Sequence, residues 1–375
     1  MKEAATFHLE IDRFIKAPRE RIFDAFTQEP LLKAWHCPRG MTVAEASVEA
    51  RVGGAYRIVM TSRDGSRYAV GGVYQAIERP DFIAYTWRSE TGPAADVTTL
   101  IEVRLTAKDG GTSLHMRHTG FPNAQARDSH RSGWQSVFNR LSDFVDPAGS
   151  ASTIAVLGNP RSTYCWTVRI GLAEKGVKYR LEPNAPHTPE QLSIHPFGRV
   201  PALRDGEIEV YEARAILGYV DEAFDGPPLI PATGLLARAK SEQWISVINS
   251  YCYDAMVRRY IMQHLVTKAG DGEPNSSVVA LAAKGARGQP APSVIAAALP
   301  EIDMQLALFD KAYGGNDFLT GASFAMADLF LAPLIFYLSQ YPESKELLAK
   351  YPRVRHGQEV MQARPSFAAT MPRLG

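Results

Sequence analysis

The first part of the chain alternates between apolar and polar positions in short stretches that glycine-containing turns separate. Phe7–Ile15 shows this alternation, which has the period of a half-buried β-strand. The same alternation predicts six further strands, at Ala44–Ala50, Ala55–Met60, Ala69–Ile77, Phe82–Arg88, Thr98–Ala107 and Thr112–Thr119. Because Gly53, Gly65 and Gly110 stand in the connections, these strands are expected to form an antiparallel sheet.

Two helical patterns frame these strands. Ala17–Thr27 carries Pro18 near its first turn, which is typical of a helix N-terminus. Gly133–Phe144 has its large apolar residues at helical spacing and predicts an amphipathic helix. Residues 1–146 are therefore predicted to form an α+β domain of the helix-grip kind, in which a sheet wraps around the terminal helix.

The pattern changes after a short run of small and turn-forming residues at 147–152, which we interpret as a linker. Residues 153–226 mix short apolar strands with helices and predict an α/β subdomain. From 227 to 375 the pattern is helical to the end of the sequence, so an all-α subdomain is expected there. Lys268–Ser293 is polar and rich in glycine and proline, and predicts a long loop within this helical part.

Composition agrees with two globular domains. The chain has 375 residues, of which 45% are hydrophobic and 22% charged, and its net charge is +1. This charge favours no nucleic-acid partner. The three cysteines lie far apart, which fits a reducing compartment such as the cytoplasm. We expect no membrane span, because no stretch approaches about 20 apolar residues, and no metal site.

Ser162 carries the most specific chemistry. It follows the apolar strand Ile154–Leu157 and a Gly-Asn-Pro turn, and it stands where an amphipathic helix begins. Free backbone N–H groups and the positive end of a helix dipole favour an anion at such a position. The hydroxyl group is suited to stabilise a bound thiolate, although serine is also an ordinary helix-capping residue.

A second set of positions lies downstream. Val200-Pro201 is a candidate cis peptide bond in a strand-rich stretch. In that conformation the backbone groups of Val200 are expected to pair with a bound peptide, as a strand edge does. Glu212 stands before the next helix, where its carboxylate is placed to face an amino group. This order of elements predicts a thioredoxin-like fold that binds a small peptide.

Four motifs in this order resemble those of the glutathione S-transferases, over about Ser152 to Gly375. They are the Ser162-Thr163 pair, Gly198-Arg199-Val200-Pro201-Ala202-Leu203, Glu212-Ala213-Arg214-Ala215-Ile216, and Phe324-Ala325-Met326-Ala327-Asp328-Leu329. The serine pair is similar to that of the phi and related classes. The resemblance implies glutathione as cosubstrate, a small apolar electrophile as second substrate, and a homodimer.

The resemblance also implies a role for each site residue. Ser162 would be the catalytic residue that stabilises the thiolate, and Val200 and Pro201 would bind the cysteinyl backbone. Glu212 would bind the glutamyl amino group, and the Ala213 N–H its carboxylate. The family usually has serine where this chain has Ala213, which predicts weaker binding. Arg199 and His187 are candidates to contact the glycyl end.

The N-terminal part resembles START-like domains of the Hsp90-ATPase-activator-homologue type over about residues 5–146. The matching pieces are Ala17-Pro18-x-x-x-Ile22-Phe23, Leu32-Lys33-Ala34-Trp35, Arg51-x-Gly53-Gly54-x-Tyr56, Tyr85-Thr86-Trp87 and Gly133-Trp134. The resemblance implies an apolar cavity and hence a hydrophobic ligand. Trp35, Trp87 and Trp134 either line that cavity or belong to an ordinary core.

The sequence therefore favours a glutathione transferase with a ligand-binding N-terminal domain. Two alternatives stay open. One is a non-catalytic ligand-binding or co-chaperone-like protein with a degenerate transferase module, which Ala213 favours. The other is a thiol-disulfide reductase or peroxidase that works through Cys165, because Ser162 and Cys165 have the spacing of a C-x-x-C redox motif.

Overall fold

The computed structural model describes residues 7–90, 97–146, 153–230, 234–268 and 291–373, together with the isolated residues 283, 286 and 288. The predicted linker at 147–152 and most of the predicted loop Lys268–Ser293 lie outside the described residues. The chain divides into two compact units. Unit 1 comprises 1–154 and 204–208, and unit 2 comprises 155–203 and 209–375.

Unit 1 contains a seven-stranded antiparallel sheet. Its strands are β1 (Phe7–Ile15), β2 (Met41–Val48), β3 (Ala55–Ser62), β4 (Arg67–Glu78), β5 (Phe82–Ser89), β6 (Thr99–Lys108) and β7 (Gly111–Phe121). Their order in the sheet is β1-β7-β6-β5-β4-β3-β2. Each predicted strand is found, with shifts of a few residues at the ends.

Three helices accompany this sheet: α1 (Arg19–Thr27), α2 (Glu29–Trp35) and α3 (Ala124–Val145). The predicted start of the closing helix at Gly133 is wrong, because α3 begins at Ala124. Asn123 caps it, and its side-chain oxygen accepts a hydrogen bond from the Ala126 N–H at 2.8 Å. The first turns of α3 are polar and lack the apolar spacing on which the prediction depended.

The core of unit 1 lies between the sheet and α3. Strands β6 and β7 pair with Ile101 opposite His118 and Val103 opposite Met116, and all four side chains are buried. Because side chains alternate between the two faces of a strand, these inward positions form continuous layers against the helix. His118 is the polar member of this set, and its buried ring needs hydrogen-bond partners.

Residues of unit 2 form most of a second, four-stranded sheet, whose strand order is β11-β10-β8-β9. Its strands are β8 (Ile154–Leu157), β9 (Arg180–Glu182), β10 (Ala202–Asp205) and β11 (Ile208–Tyr211), and β8 runs parallel to β9. Helices α4 (Thr163–Glu174), α5 (Pro189–Ile194) and α6 (Ala213–Ala223) alternate with these strands. This arrangement of strands and helices is the predicted thioredoxin-like one.

The rest of unit 2 is helical. Helix α7 (Leu235–Val247), a π-helical segment (Ile248–Ile261) and α8 (Met262–Lys268) follow one another without a break. Then come α9 (Ala291–Tyr313), α10 (Met326–Leu338), α11 (Pro342–Ala349), α12 (Pro352–Gln362) and α13 (Pro365–Thr370). All thirteen residues of α10 are buried, which makes it the central helix.

Helix α9 is the element to compare with the expectation that the chain has no membrane span. By length and composition alone it is apolar enough to cross a membrane, although core helices of soluble proteins pass the same test. Val294, Ala298, Ile302 and Phe309 of α9 are buried, and they recur at the spacing of one helical face. That face packs against the π-helical segment and α12.

Candidate functional site

Ser162 is the N-cap residue of α4, as its position after the Gly-Asn-Pro turn predicts. Its Oγ accepts a hydrogen bond from the Cys165 N–H at 3.4 Å, and its side chain is half-buried. The hydroxyl proton is not used in that bond and can be donated to a ligand. The helix that carries Ser162 is held firmly, because Thr167 Oγ1 donates to Leu329 O at 3.0 Å and Trp166 Nε1 donates to Thr370 Oγ1 at 3.0 Å.

Cys165 lies one turn further along α4 and is fully buried. Burial raises the pKa of its thiol to about 12, although Ser162, the Asn159 backbone and Arg169 act in the opposite direction. A Cβ atom added at Gly158 would lie 2.5 Å from Cys165 Sγ and 3.1 Å from Val200 Cβ. Cys165 thus packs beneath the loop that precedes α4, close to Val200, and it stays protonated at neutral pH.

The loop from His187 to Pro201 is built on hydrogen bonds within itself. Gln191 is buried, and its Nε2 donates to Arg199 O at 2.6 Å. The His187 N–H donates to Gly198 O at 2.7 Å, and the side chains of His187 and Arg199 are exposed. The Val200-Pro201 peptide is cis, as predicted. Within the described part of the chain, neither backbone group of Val200 has a hydrogen-bond partner.

Glu212 immediately precedes α6 and has a backbone φ of 68°. A residue other than glycine costs about 1–3 kcal/mol in this region, and such residues are frequent at binding sites. Its side chain is 60% exposed, and Oε1 lies 3.3 Å from His195 Nε2. The helix that follows is anchored by the Ile216 N–H bond to Glu212 O at 2.9 Å, which leaves the N–H of Ala213 at the open helix start.

His195 is a site residue that the sequence analysis missed. Its ring is 1% exposed, and its Nδ1 accepts a hydrogen bond from the Phe197 N–H at 3.1 Å. Because a backbone N–H can only donate, the ring proton must be on Nε2, which points to the Glu212 carboxylate. His195 therefore holds this carboxylate in place. The signal in the sequence was a histidine before the Pro-Phe-Gly turn, but only the fold brings it to Glu212.

Tyr164 is held away from proton transfer. Its hydroxyl group donates to Asn249 Oδ1 at 2.9 Å, and its ring stacks on that of Tyr253 at 4.8 Å. Burial raises the pKa of Tyr164 well above its usual value; Glu212 acts in the same direction and Arg199 against it. Because Arg199 and Glu212 both act on this hydroxyl group, the aromatic pair lies in the neighbourhood of these two predicted site residues.

A separate pocket lies in unit 1. Its volume is about 180 Å³, and its wall includes Met60, Trp87, Trp134 and Val137. Two of the three tryptophans named in the sequence analysis therefore line it. Trp35 does not; it is fully buried in the core, where its Nε1 donates to Ala25 O at 3.0 Å.

Metal ligation finds no support among the described residues, where no group of three or more His, Cys, Asp or Glu side chains is arranged to hold an ion. His115 pairs with Asp12 at 2.9 Å on the surface, and His118 lies in the core.

Comparisons with known proteins agree with this division of the chain. Residues 16–146 match the family model of activator of Hsp90 ATPase homolog 1-like proteins. Residues 157–228 match the N-terminal domain of glutathione S-transferases, and 292–356 match their C-terminal domain.

Individual relatives match the second part. Glutathione S-transferase 3 of Zea mays is 28% identical over 225 residues, which are 58% of this chain and 93% of that protein. A glutathione S-transferase of Silene vulgaris is 29% identical over 58% of this chain and 97% of its own length. A crystal structure of glutathione transferase F7 from Populus trichocarpa aligns with a TM-score of 0.49 at 24% identity, over 58% of this chain and 97% of that one. The chain thus joins a domain of the Hsp90-ATPase-activator-homologue type to the N- and C-terminal domains of a glutathione S-transferase, the fusion that its motifs predict.

Proposed function

We propose that unit 2 is a glutathione transferase of the serine type, which joins the glutathione thiolate to a small apolar electrophile. The observation that carries this proposal is that both backbone groups of Val200 lack a hydrogen-bond partner within the described part of the chain. Val200 lies close to Gly158 and Cys165, at the start of α4, where Ser162 is the cap. Glutathione is a peptide, and an extended peptide binds to such groups as a strand binds to a sheet edge.

Each site residue is assigned to one part of a substrate. Val200, beside Pro201, pairs with the cysteinyl backbone. Glu212 accepts the glutamyl ammonium group, and the open helix start at Ala213 binds the glutamyl carboxylate. Arg199 and His187 are exposed near this loop and bind the glycyl carboxylate. The Tyr164–Tyr253 stack forms one wall of the site for the electrophile.

Ser162 lowers the pKa of the bound thiol. A free thiol has a pKa of about 8.5, so a shift of about one to two units makes the nucleophile largely ionised at neutral pH. Each unit corresponds to about 1.4 kcal/mol, which is a reasonable contribution from one hydroxyl hydrogen bond and the positive end of α4. The thiolate then attacks the electrophile.

The test is a calorimetric titration of glutathione into the wild-type protein and Ser162→Ala, combined with a thiolate absorbance titration of each complex. We expect binding to persist in the variant and the thiol pKa to rise by about one to two units. Ser339→Ala is the matched control, because Ser339 lies at the C-terminal end of α10 and should change neither quantity. Equal thiol pKa values in wild type and Ser162→Ala would refute the serine-type mechanism.

The alternative that uses Cys165 has little geometric support, since this thiol is fully buried and its pKa is raised. A reactive cysteine is normally accessible and has a lowered pKa. Cys165→Ser should therefore leave transferase turnover unchanged. Activity that survives Ser162→Ala and disappears in Cys165→Ser would instead identify a thiol-disulfide enzyme.

The alternative of a non-catalytic module rests on Ala213, where the hydroxyl group that helps to hold the glutamyl carboxylate is missing. We expect Ala213→Ser to tighten glutathione binding by about 2- to 10-fold, the value of one added hydrogen bond. If neither the wild-type protein nor this variant binds glutathione, unit 2 is not a transferase.

For unit 1 we propose that the pocket beside α3 binds a hydrophobic ligand. Its volume of about 180 Å³ and the side chains of Met60, Trp87, Trp134 and Val137 support this proposal. An apolar cavity of about 150 Å³ is large enough to bind benzene in an engineered protein. Binding of naphthalene to the full chain tests it.

A further inference from the structure

The pocket of unit 1 is surrounded by three aromatic rings that contact one another. The ring centroids of Trp87 and Trp134 are 5.2 Å apart, those of His36 and Trp134 5.6 Å, and those of His36 and Trp87 6.0 Å. All three residues line the pocket. Stacked and edge-to-face contacts with such rings favour a flat, aromatic occupant over a flexible aliphatic one.

Trp134 is held rigidly in this wall by a directional series of hydrogen bonds. Its Nε1 donates to His118 Nδ1 at 3.2 Å, and His118 Nε2 then lies 2.7 Å from Thr99 Oγ1. Thr99 Oγ1 donates in turn to Trp87 O at 2.9 Å. Since the indole N–H can only donate, Nδ1 of His118 accepts and Nε2 carries the ring proton.

In contrast to the Trp134 ring, the other two rings each carry a nitrogen atom without a hydrogen-bond partner among the described residues. Trp87 Nε1 and His36 Nδ1 are both buried and have no hydrogen-bond partner within the part of the chain that the structure describes. His36 is 3% exposed. Buried polar atoms are nearly always satisfied in folded proteins, so two unpartnered ones in side chains that line one pocket call for an explanation.

A single hydroxyl group on the ligand would satisfy both atoms. Trp87 Nε1–H is a donor and needs an acceptor, whereas an unprotonated His36 Nδ1 accepts a hydrogen bond. A hydroxyl group can do both at once. A charged ligand is disfavoured, because no Asp, Glu, Lys or Arg side chain lines the described pocket wall to compensate its desolvation.

We propose that this pocket binds an uncharged planar molecule of one or two fused aromatic rings that carries a hydroxyl group, and that Trp87 and His36 recognise this group. The inference rests on the proposal that unit 1 binds a hydrophobic ligand, and adds the chemistry by which the ligand is chosen. It does not depend on the transferase site proposed for unit 2, because it uses residues of unit 1 alone.

Three probes test it by calorimetry on the full chain: naphthalene, the methyl ether of β-naphthol, and β-naphthol itself. Naphthalene offers no hydrogen bond, the ether only accepts, and β-naphthol accepts and donates. Each hydrogen bond should strengthen binding by about 2- to 10-fold, so the affinities are expected to rise in that order.

The variants assign each step to one residue. Trp87→Phe should abolish the advantage of the ether over naphthalene, and His36→Phe the further advantage of β-naphthol. Each advantage is a ratio of affinities within one variant, so a change in naphthalene binding itself does not enter the comparison. Tyr85→Phe is the matched control, because the Tyr85 hydroxyl group is also buried with no partner among the described residues, but Tyr85 does not line the pocket. The probe series on the wild-type protein stands even if one variant fails to fold.

The outcomes separate the two proposals. Equal affinities for naphthalene and β-naphthol in the wild-type protein would overturn the inference and leave the hydrophobic pocket intact. A preference for β-naphthol that survives in both Trp87→Phe and His36→Phe would also overturn it, because the probe would then be bound elsewhere. If no probe binds, both proposals fail.

Discussion

The two candidate ligand sites of this chain differ in the kind of group that is left to bind a ligand. Among the described residues, the unpartnered groups beside α4 and α6 belong to the backbone, at Val200 and at the helix start occupied by Ala213. In the pocket of unit 1 the atoms without a partner in the described part of the chain belong to side chains, those of His36 and Trp87.

The difference teaches what each site can distinguish. Backbone groups recognise the main chain of any extended peptide, so selectivity in unit 2 must come from the side chains around them, such as Glu212. Side-chain atoms recognise a particular arrangement of donors and acceptors, and a single substitution removes them. Substitutions of residues in or next to each site test this comparison.

The largest expected effect is the acid sensitivity of unit 1. Burial lowers the pKa of His36 from 6.5 to about 4, so between these pH values the unfolded state binds a proton that the folded state does not. Stability must therefore fall as the pH is lowered from about 6.5 to about 4, by about 1.4 kcal/mol per pH unit. Hydrogen exchange of the β6 and β7 amides measures it.

His36→Phe removes this contribution, and the slope should become shallower. A slope remains because burial also lowers the pKa of His118, which acts with the same sign. His356→Phe is the control, since His356 is exposed and paired with Asp317. An identical pH profile in wild type and His36→Phe would show that the His36 ring is not held neutral by burial.

The next largest effect is expected from the loss of His118, which accepts the hydrogen bond of Trp134 in the pocket wall. His118→Phe keeps an aromatic ring but leaves the Trp134 Nε1–H without an acceptor in the core. An unsatisfied buried donor costs about 1–3 kcal/mol, which should appear as faster exchange of the β6 amides. His115→Phe is the control: His115 lies on the same strand as His118, β7, but its side chain is exposed, so the exchange rate of the β6 amides should change little. A loss below about 0.5 kcal/mol would mean that the hydrogen-bond series is not important for stability.

In unit 2 the corresponding support is His195. His195→Phe removes the Nε2–H that holds the Glu212 carboxylate. The KM for glutathione should rise by about 3- to 10-fold, less than for a fully buried hydrogen bond to a charged group, because the carboxylate is 60% exposed. The kcat at saturating glutathione should change little, because we propose that Ser162, and not His195, stabilises the thiolate. A fall in kcat with an unchanged KM would place His195 in the chemistry rather than in positioning.

The smallest effect concerns Gly133, in the interior of α3 and in the pocket wall. A Cβ added there meets no other atom within 4 Å, so Gly133→Ala should stabilise unit 1 by about 0.5–1 kcal/mol through helix propensity. Gly54→Ala is the opposite case, because its Cβ would lie 2.1 Å from Glu49 O. Equal effects of the two substitutions, measured by hydrogen exchange, would contradict this assignment.

Much of the architecture followed from local pattern. The alternation of apolar and polar residues over Phe7–Ile15 and the later strands predicted the sheet of unit 1. Successive side chains on a strand face opposite sides, one toward the core and one toward the solvent. The start of α3 was missed because its first turns are polar, and only the cap at Asn123 marks it. Cys165, at redox spacing from Ser162, proved to be buried, which spacing cannot reveal.

By itself, the sequence determined the order of elements, the division into an N-terminal sheet domain and a transferase-like part, and the residue types at the helix starts. Only the tertiary structure decided that Trp35 belongs to the core while Trp87 and Trp134 line a pocket, and that His195 reaches Glu212. The physical reason is that periodicity reports which face of an element is buried, whereas hydrogen-bond partners and cavities depend on residues that are distant in the chain and meet only in the fold.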